Sequence, residues 1–413
     1  MYLHKSILEF NWVKYIFLAV LINGVFINTL SAQTTFVLNA LADFEFSKAG
    51  SKSHFYYNEI DQDNIGSRFS IAQLNLIGQI KFNSQWTFNT RILLEKDKGQ
   101  KFEKFAIPQL NFQWLSKKRK VGITFGSFTN PFGLFNQKQL STERNFIGLP
   151  LAYSYYNNVS GKIGFMEGMG DLTKTPIDGN VQWGSTNLYY GGYTTGAMFS
   201  WNIKPSKINW KIALVNGASN LQKQISDPIH FGVISRLKIQ PKYFWEQGFS
   251  VSHGTFLQAS EVSDQLEDLR AFTQTIIGMD FKMGKGFFEF SGEIMGSFYK
   301  VPRFMDDDML FETGAYDNPQ TLSNLAAYVD VKYELSFLQG SYVAYRIDHL
   351  RFGKLEESLN QNWDNNVLRH SIAVGYHINQ YVLARVGVST QQIENKEWDK
   401  NLGTFRAVIT AHY

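Results

Sequence analysis

Apolar and polar residues alternate strictly in segment after segment of this chain, and no other feature constrains its fold as much. In the last segment Phe405, Ala407 and Ile409 alternate with Arg406 and Thr410. Successive side chains of a strand point to opposite faces of a sheet, whereas a helix would show a period of about 3.6 residues. Sixteen strands are therefore predicted, at residues 34–47, 68–82, 86–97, 105–114, 120–128, 188–203, 208–217, 230–240, 243–256, 270–282, 286–298, 322–334, 338–348, 367–378, 381–393 and 403–413.

The connections between these strands alternate between short and long, beginning with a long one. Residues 83–85 and 379–380 are short connections, and 48–67 and 129–187 are long ones. Each strand is close to the roughly 10 residues that a tilted transmembrane strand needs. The pattern is typical of an all-β, antiparallel, up-and-down transmembrane β-barrel with short periplasmic turns and long extracellular loops. The alternative is a large soluble β-sandwich whose polar face meets solvent.

The composition fits a barrel and excludes several classes of function. The chain has 35 Phe and 20 Tyr among 413 residues, more than a soluble core of this size needs, and such residues suit strands with one apolar face. Zero Cys excludes disulfide scaffolds, Cys-ligated zinc and thiol nucleophiles. A formal net charge of +4 is too small to indicate nucleic-acid binding. Because charged residues lie opposite the apolar face and cannot be buried dry without partners, a water-filled lumen is expected.

Residues 1–32 are predicted to be a cleaved signal peptide. Two Lys residues precede an apolar run at 15–30, and small residues suit cleavage after Ala32. The alternative is a transmembrane anchor, but two Asn residues interrupt the run, which is shorter than the roughly 20 residues that a helical span needs. Residues 33–413 are then expected to form one barrel in the outer membrane of a Gram-negative bacterium.

A local motif resembles a known family of outer-membrane proteins. Residues 126–134 read GSFTNPFGL, and residues 143–147 read ERNFI. This pattern resembles that of the phosphate-selective porins O and P, especially porin-like members from Bacteroidetes. The resemblance implies a 16-stranded channel, usually trimeric, whose third extracellular loop folds inward, and 129–187 is the third long connection here. The terminal Tyr413 also resembles the signal that the barrel-assembly machinery reads.

Phosphate selectivity does not follow from this resemblance, because the family's anion-selective members depend on a dense basic cluster at the constriction. In loop 129–187 the charges balance, with Lys138, Arg144, Lys162 and Lys174 against Glu143, Glu167, Asp171 and Asp178.

The loop is expected to fold partly into the lumen as the constriction, since it is far longer than closure requires. Phe132 and Phe146 are expected to anchor it against the wall, and Lys138, Glu143 and Arg144 are its candidate charged residues.

Charged side chains on the inward register are the candidate selectivity residues. The last four strands contribute Arg346, Arg369, Arg385 and Arg406, which would form a basic wall. Strands ten to twelve contribute a facing acidic set, Asp280, Glu289, Glu293, Asp330 and Glu334. Such walls would create a transverse field and a mild anion preference; alternatively, the charges pair across neighbouring strands and only keep the lumen wet. The remaining pore-lining candidates are Arg91, Glu95, Lys211, Arg236 and Lys238.

No catalytic, metal or cofactor site is predicted. The His residues lie on separate predicted strands without metal-like spacing, and residues 168–174 lack the spacing of a phosphate-binding loop. The acidic triplet 306–308 could bridge lipopolysaccharide through a divalent cation, although an exposed acidic loop tip is the commoner meaning.

These features together predict passive diffusion of small hydrophilic solutes or ions through an outer-membrane porin, without catalysis. The expected partners are outer-membrane lipid, lipopolysaccharide, the solutes or anions themselves, and further copies of the chain in a homotrimer. Two alternatives are a substrate-specific channel for an anion or organic acid and a plugged structural or adhesive barrel. A barrel-embedded hydrolase would need a Ser-His pair on the lipid-facing wall, and the predicted registers place none there.

Overall fold

The computed structural model describes residues 34–49, 67–95, 104–160, 164–165, 185–187, 192–217, 231–257, 269–302, 320–354, 362–393 and 402–413. Sixteen strands form a closed barrel in which hydrogen-bonded neighbours are antiparallel. The predicted fold class is therefore confirmed. The predicted signal segment 1–32, the stretch 168–174 and the triplet 306–308 lie outside the described residues.

Five barrel strands precede the longest connection, namely β1 (Thr35–Ala49), β2 (Ser67–Lys81), β3 (Trp86–Glu95), β4 (Lys104–Leu115) and β5 (Val121–Thr129). That connection contains 3₁₀ turns at Phe135–Gln137 and Ser141–Glu143, the helix α1 (Leu151–Ser154), and the short strands β6 (Tyr156–Ser160), β7 (Gly164–Phe165) and β8 (Ser185–Asn187). The remaining barrel strands are β9 (Tyr193–Lys204), β10 (Ile208–Asn216), β11 (Phe231–Lys242), β12 (Trp245–Thr255), β13 (Thr273–Lys285), β14 (Phe288–Val301), β15 (Gln320–Glu334), β16 (Ser341–Phe352), β17 (Val367–Asn379), β18 (Val382–Ile393) and β19 (Leu402–His412).

The alternating pattern does not predict the ordered structure within the longest connection. There β6 pairs with β7 and β8 in a separate three-stranded sheet. Across the described ranges, no helix has the length and apolar character needed to cross a membrane.

The first and last strands close the barrel. β1 and β19 are paired antiparallel from Leu41 opposite His412 onward. Ala40 and Tyr413 exchange two backbone hydrogen bonds, of 3.0 and 2.9 Å. β5 pairs with β9, so the long connection between them leaves the wall without interrupting it.

The connections at the two ends of the barrel differ in length. Because neighbouring strands are antiparallel, alternate connections lie at the same end. Residues 82–85 and 286–287 are short connections at one end, whereas 130–192 and 302–319 are long connections at the other. The short connections therefore lie at one end of the barrel and the long ones at the other, as the alternation of lengths in the sequence predicts.

The two faces of the wall differ as the alternation predicts. On β19, Ile409 is 50% exposed on the outer face, whereas Thr410 is fully buried on the inner face. On β13, Ile277 is 57% exposed outside and Asp280 is 1% exposed inside. Large apolar side chains are exposed on the outside of strand after strand. Soluble proteins avoid such a surface because contiguous exposed apolar area is unfavourable in water.

A bulge at Pro108 keeps the apolar side chains of β4 on the outside. The register between β3 and β4 shifts at this point, and the Ser127 hydroxyl donates to the Pro108 carbonyl at 2.6 Å. Ile107 and Leu110 are both exposed on the outer face, although an unbroken strand would put residues three apart on opposite faces. Proline lacks an N–H and is tolerated at such bulges.

Both ends of β13 lie a few residues later than predicted. The turn predicted at 283–285 lies later, because Gly286 takes the positive φ of +60° that favours glycine. The start predicted at Arg270 lies at Thr273, since Leu269–Ala271 forms a 3₁₀ turn.

Ends of other strands also differ from the prediction, and one predicted end lies outside the described residues. β16 ends at Phe352 rather than at the predicted Asp348, because Leu350 and Phe352 extend the inward alternation and are buried. The sixth barrel strand was predicted from residue 188 and is described from Tyr193 onward; residues 188–191 lie outside the described part.

Candidate functional site

The chain turns into the barrel directly after β5. Phe132 is fully buried, and a methyl group added to Gly278 on β13 would lie 3.0 Å from its ring. The Gly133 N–H donates to Ser250 Oγ on β12 at 3.0 Å. Pro131 cannot donate to a strand ladder, and Gly133 has a φ of +62°, so this short sequence ends the strand and directs the loop inward.

Glu293 on β14 holds the next part of the loop. The backbone N–H of Phe135 donates to Glu293 Oε1, and the Tyr153 hydroxyl donates to Glu293 Oε2. Gly133 lies against the same carboxylate, since an added methyl group there would be 2.9 Å from Glu293 Oε2. Glu293 is only 4% exposed, and a buried carboxylate requires donors of this kind. We call Glu293, Gly133, Phe135 and Tyr153 the clasp.

Arg346 on β16 connects the wall to a later part of the loop. Its guanidinium donates to both carboxylate oxygens of Asp330 at 2.6 and 2.7 Å, and to the Gly148 carbonyl at 3.1 Å. The guanidinium carbon lies 4.3 Å from the ring centroid of Phe146, within the range of a cation–π interaction. Phe146 is itself buried against the wall. Arg346 therefore orders the loop as well as neutralising Asp330.

Arg369 on β17 and Arg385 on β18 hold the loop through its carbonyl groups. Arg369 donates to Asp348 at 3.3 Å and to the Leu149 carbonyl at 2.5 Å. Arg385 donates to the Ser141 carbonyl at 2.8 Å. A guanidinium can donate in several directions at once, so one side chain can serve both the wall and the loop.

The four arginines of the predicted basic wall all face the lumen, but they are engaged there. Arg406 on β19 pairs with both oxygens of Glu45 at 2.7 and 2.9 Å. The carboxylates that pair with Arg346, Arg369 and Arg406 lie on neighbouring strands. This is the alternative arrangement that the sequence allows, in which the charges pair across strands. Their part in ion selectivity stays a prediction.

The predicted acidic set is engaged as well. The shortest described ion pairs of these carboxylates are with Arg236 for Asp280 (2.6 Å), Lys282 for Glu289 (3.1 Å), Arg346 for Asp330 (2.6 Å) and Lys332 for Glu334 (2.9 Å). Glu293 belongs to the clasp. Because opposite charges lie side by side, the field across the lumen is smaller than two unpaired walls would create.

An apolar cluster joins the loop to the inner wall, and sequence reasoning missed it. Phe135 and Tyr155 of the loop pack in one buried cluster with Tyr299, Leu322 and Leu350 of the wall. The lumen is therefore not water-filled where this cluster lies, contrary to the prediction. The signal was present in the sequence, because the strands that adjoin the long loops carry apolar residues on the inward register as well as the outward one.

Arg91 lies on a different arc of the wall. On β3 it donates to Asn75 Oδ1 at 2.7 Å, and its guanidinium carbon lies 5.4 Å from the ring centroid of Tyr193. Arg91 is buried by these contacts. Glu95 is the last residue of β3, and its side chain lies outside the described part of the structure.

Three more inward basic residues lie together on β10 and β11. Lys211 is the register partner of Arg236. Arg236 pairs with Asp280, and Lys238 contacts Glu246 at 3.3 Å. Among the ion pairs between described residues, none includes Lys211. This arc therefore carries a modest basic excess.

The charged loop residues mainly stabilise the loop. Arg144 donates to the Lys138 carbonyl at 2.8 Å, and Glu143 accepts the Leu140 N–H at 2.9 Å. The Lys138 ammonium lies 3.9 Å from Glu289 on the wall. Burial lowers the pKa of Lys138, and the nearby Glu289 carboxylate opposes that shift. Within the described ranges, no group of three or more His, Asp or Glu side chains is placed to hold a metal ion.

Comparison with known proteins relates this chain to others through its fold. No protein-family model matches the chain, and no curated protein matches it in sequence. Among solved structures, the anion-selective porin from Comamonas acidovorans is 8% identical with a TM-score of 0.59, covering 92% of this chain and 100% of that one. OmpT of Vibrio cholerae in its trimer form is 7% identical with a TM-score of 0.55, covering 92% and 100%. The channel DcaP of Acinetobacter baumannii is 11% identical with a TM-score of 0.54, covering 93% and 98%. The barrel therefore has the fold of outer-membrane porins.

Proposed function

We propose that this protein is an outer-membrane porin through which small hydrophilic solutes or ions diffuse passively, without catalysis. The observation that carries the proposal is a closed barrel with an apolar outer face and charged side chains inside. Large apolar side chains such as Phe112 and Ile372 are exposed outside, and charged side chains such as Arg346 and Asp348 are enclosed. That surface suits lipid and is unfavourable in water. The porin fold of the structural relatives supports the same function.

The proposal includes a location and partners. A signal peptide cleaved after Ala32 exports the chain, short connections face the periplasm, and the strand ending at Tyr413 is recognised by the barrel-assembly machinery. The apolar outer face contacts lipid, and lipopolysaccharide surrounds the end with long loops. A homotrimer is the proposed assembly; the trimer form of OmpT, a structural relative, supports it.

The docked segment 130–155 is the proposed constriction. The clasp fixes it to β14, and Arg346, Arg369 and Arg385 fix it to β16–β18. A loop fixed at several points to β14 and β16–β18 and packed in an apolar cluster narrows the lumen without needing to move. We therefore propose selection by size at a fixed opening.

Ion selectivity in this proposal is a mild anion preference. Arg236, Arg346, Arg369 and Arg406 are paired with carboxylates. On the β10–β11 arc Lys238 also contacts Glu246, so the modest basic excess lies at Lys211. Its effect should weaken with salt, because the Debye length falls from about 10 Å at 0.1 M to about 3 Å at 1 M. A substrate-specific channel for an anion or organic acid would instead show saturation.

A second candidate function is a plugged structural or adhesive barrel. The apolar cluster around the loop favours it, because a cluster of this kind excludes water from the part of the lumen it occupies. In that case the exposed long loops would carry the function and no solute would pass.

Liposome swelling distinguishes the two candidates. The full-length protein, a variant lacking 138–180, and a control variant lacking 260–266 in another long loop at the same end are reconstituted, and L-arabinose uptake is measured. Uptake by the wild type and control, faster with the 138–180 deletion, supports a porin with a loop constriction. Uptake only after that deletion indicates a plugged barrel. Uptake by none of the three refutes a channel.

A further inference from the structure

Carboxamide side chains form a row on the inner face of β2, β3 and β4. Gln79, Asn89 and Asn111 are register partners on these strands. Gln79 donates to Asn89 Oδ1 at 2.8 Å, and Asn89 donates to Asn111 Oδ1 at 3.1 Å. Phe88 and Phe112 occupy the opposite face of the same strands, where their ring centroids are 4.9 Å apart and Phe112 is exposed. The amides therefore face the lumen. We call Gln79, Asn89 and Asn111 the amide row.

The amide row has hydrogen-bonding capacity beyond its internal contacts. A carboxamide has two N–H donors and two acceptor lone pairs. In its described hydrogen bonds Asn89 accepts from Gln79 and donates to Asn111, which uses one of its acceptor lone pairs and one of its donors. Gln79 and Asn89 are half-buried rather than enclosed. Each can therefore both donate to and accept from a molecule in the lumen.

The amide row lies on the side of the barrel away from the clasp. The described hydrogen bonds from the docked loop to the wall reach β1, where Ser141 donates to Asp43 at 2.9 Å, and β12, β14 and β16–β18. The amide row occupies β2–β4, on another arc of the closed barrel. Arg91 lies two residues along β3, and Asn75 and the Tyr193 ring engage its guanidinium. The row thus presents neutral groups to whatever part of the lumen the docked loop leaves open.

We propose that the amide row is a hydrogen-bonding track for uncharged, hydroxyl-rich solutes such as sugars and polyols. A hydroxyl group both donates and accepts, which matches an amide that offers one group of each kind. Because the amide row carries no charge, it neither attracts nor repels ions. Its hydrogen bonds favour hydroxylated solutes over other solutes of equal size, without binding them strongly. The proposal rests on the porin function proposed above and names its preferred class of solute.

The test compares two solutes of similar size in proteoliposomes. L-Arabinose carries several hydroxyl groups, whereas glycine betaine is net neutral and has no hydrogen-bond donor. Asn89→Leu with Gln79→Met gives side chains of similar length and removes the amides. Asn202→Leu with Asn209→Leu is the control, since those amides also pair across strands, at 2.6 Å on β9 and β10.

We expect the ratio of arabinose to betaine uptake to fall about twofold to tenfold in the amide-row variant, the range expected for one or two lost neutral hydrogen bonds. The control should keep the wild-type ratio. An unchanged ratio in the amide-row variant, or an equal fall in the control, overturns the track. Uptake of neither solute by the wild type refutes the porin function and the track with it, whereas uptake of both at equal rates overturns the track alone.

A second measurement decides the matter if the amide-row variant does not assemble. In planar bilayers containing the wild-type protein, arabinose should reduce the ion current in a saturable way, and betaine should reduce it only in proportion to solution viscosity. A linear effect of arabinose equal to that of betaine overturns the proposal.

Discussion

Replacing Gly133 by Ala tests whether the clasp holds the loop in the lumen. Gly133 has a φ of +62°, and an added methyl group would lie 2.7 Å from the Tyr153 hydroxyl and 2.9 Å from Glu293 Oε2. Gly286, in the turn between β13 and β14, is a matched control. Its φ is +60°, and an added methyl group there would have no neighbour within 4 Å. The two substitutions share the backbone strain, and only Gly133→Ala displaces the clasp.

The expected magnitudes follow from these two effects. The left-handed conformation costs an L-residue about 1–2 kcal/mol, so Gly286→Ala should lower the free energy of unfolding by about that amount. Gly133→Ala also disturbs a hydrogen bond to a buried carboxylate, worth about 1.5–3 kcal/mol when one partner is charged. Its total loss should therefore be about 2.5–5 kcal/mol.

Guanidinium unfolding in lipid vesicles, followed by Trp fluorescence, measures both free energies, and single-channel recording reports the loop. Gly133→Ala should increase the conductance or its noise, whereas Gly286→Ala should leave both as in the wild type. Equal losses of stability with unchanged current in both variants would refute the clasp as the device that holds the loop.

Arg346→Met should lower the free energy of unfolding by about 3–5 kcal/mol, because it leaves the Asp330 carboxylate buried without its partner. Adding Asp330→Asn should restore much of the lost free energy of unfolding in the same assay. No restoration would contradict the ion pair between Arg346 and Asp330. Because burial lowers the pKa of Lys138, its ammonium group loses its proton at a pH below the ordinary lysine pKa of about 10.4. The anion-over-cation permeability from reversal potentials should therefore fall as the pH rises from about 7 towards that value, and a Lys138→Met variant with the same pH curve would argue against this. Cysteines introduced at Ser116 and Asp307 should react with an impermeant maleimide from opposite sides of the membrane; labelling from one side would exclude the proposed topology.

The number and faces of the barrel strands follow from the sequence alone, because each depends on local order. Ile409 and Thr410 occupy different faces because successive side chains of any strand point in opposite directions. Short connections force neighbouring strands to run antiparallel, and a sheet whose outer face is apolar throughout is most stable when closure removes its edges. Within the barrel wall, the errors lay at strand ends such as the turn at Gly286, where the backbone conformation of one residue decides the turn.

Only the tertiary structure decided what the inward charges do. Tyr153 and Glu293 are 140 residues apart in the chain, and Gly148 and Arg346 are 198 apart. The alternation shows which face an arginine occupies, but it contains no information about what lies across the lumen. Closure of the barrel and the inward turn after β5 bring carboxylates and loop carbonyls to these side chains. Because the docked loop excludes water, each enclosed charge is stable only with such a partner, and the predicted basic wall becomes part of the framework that holds the loop.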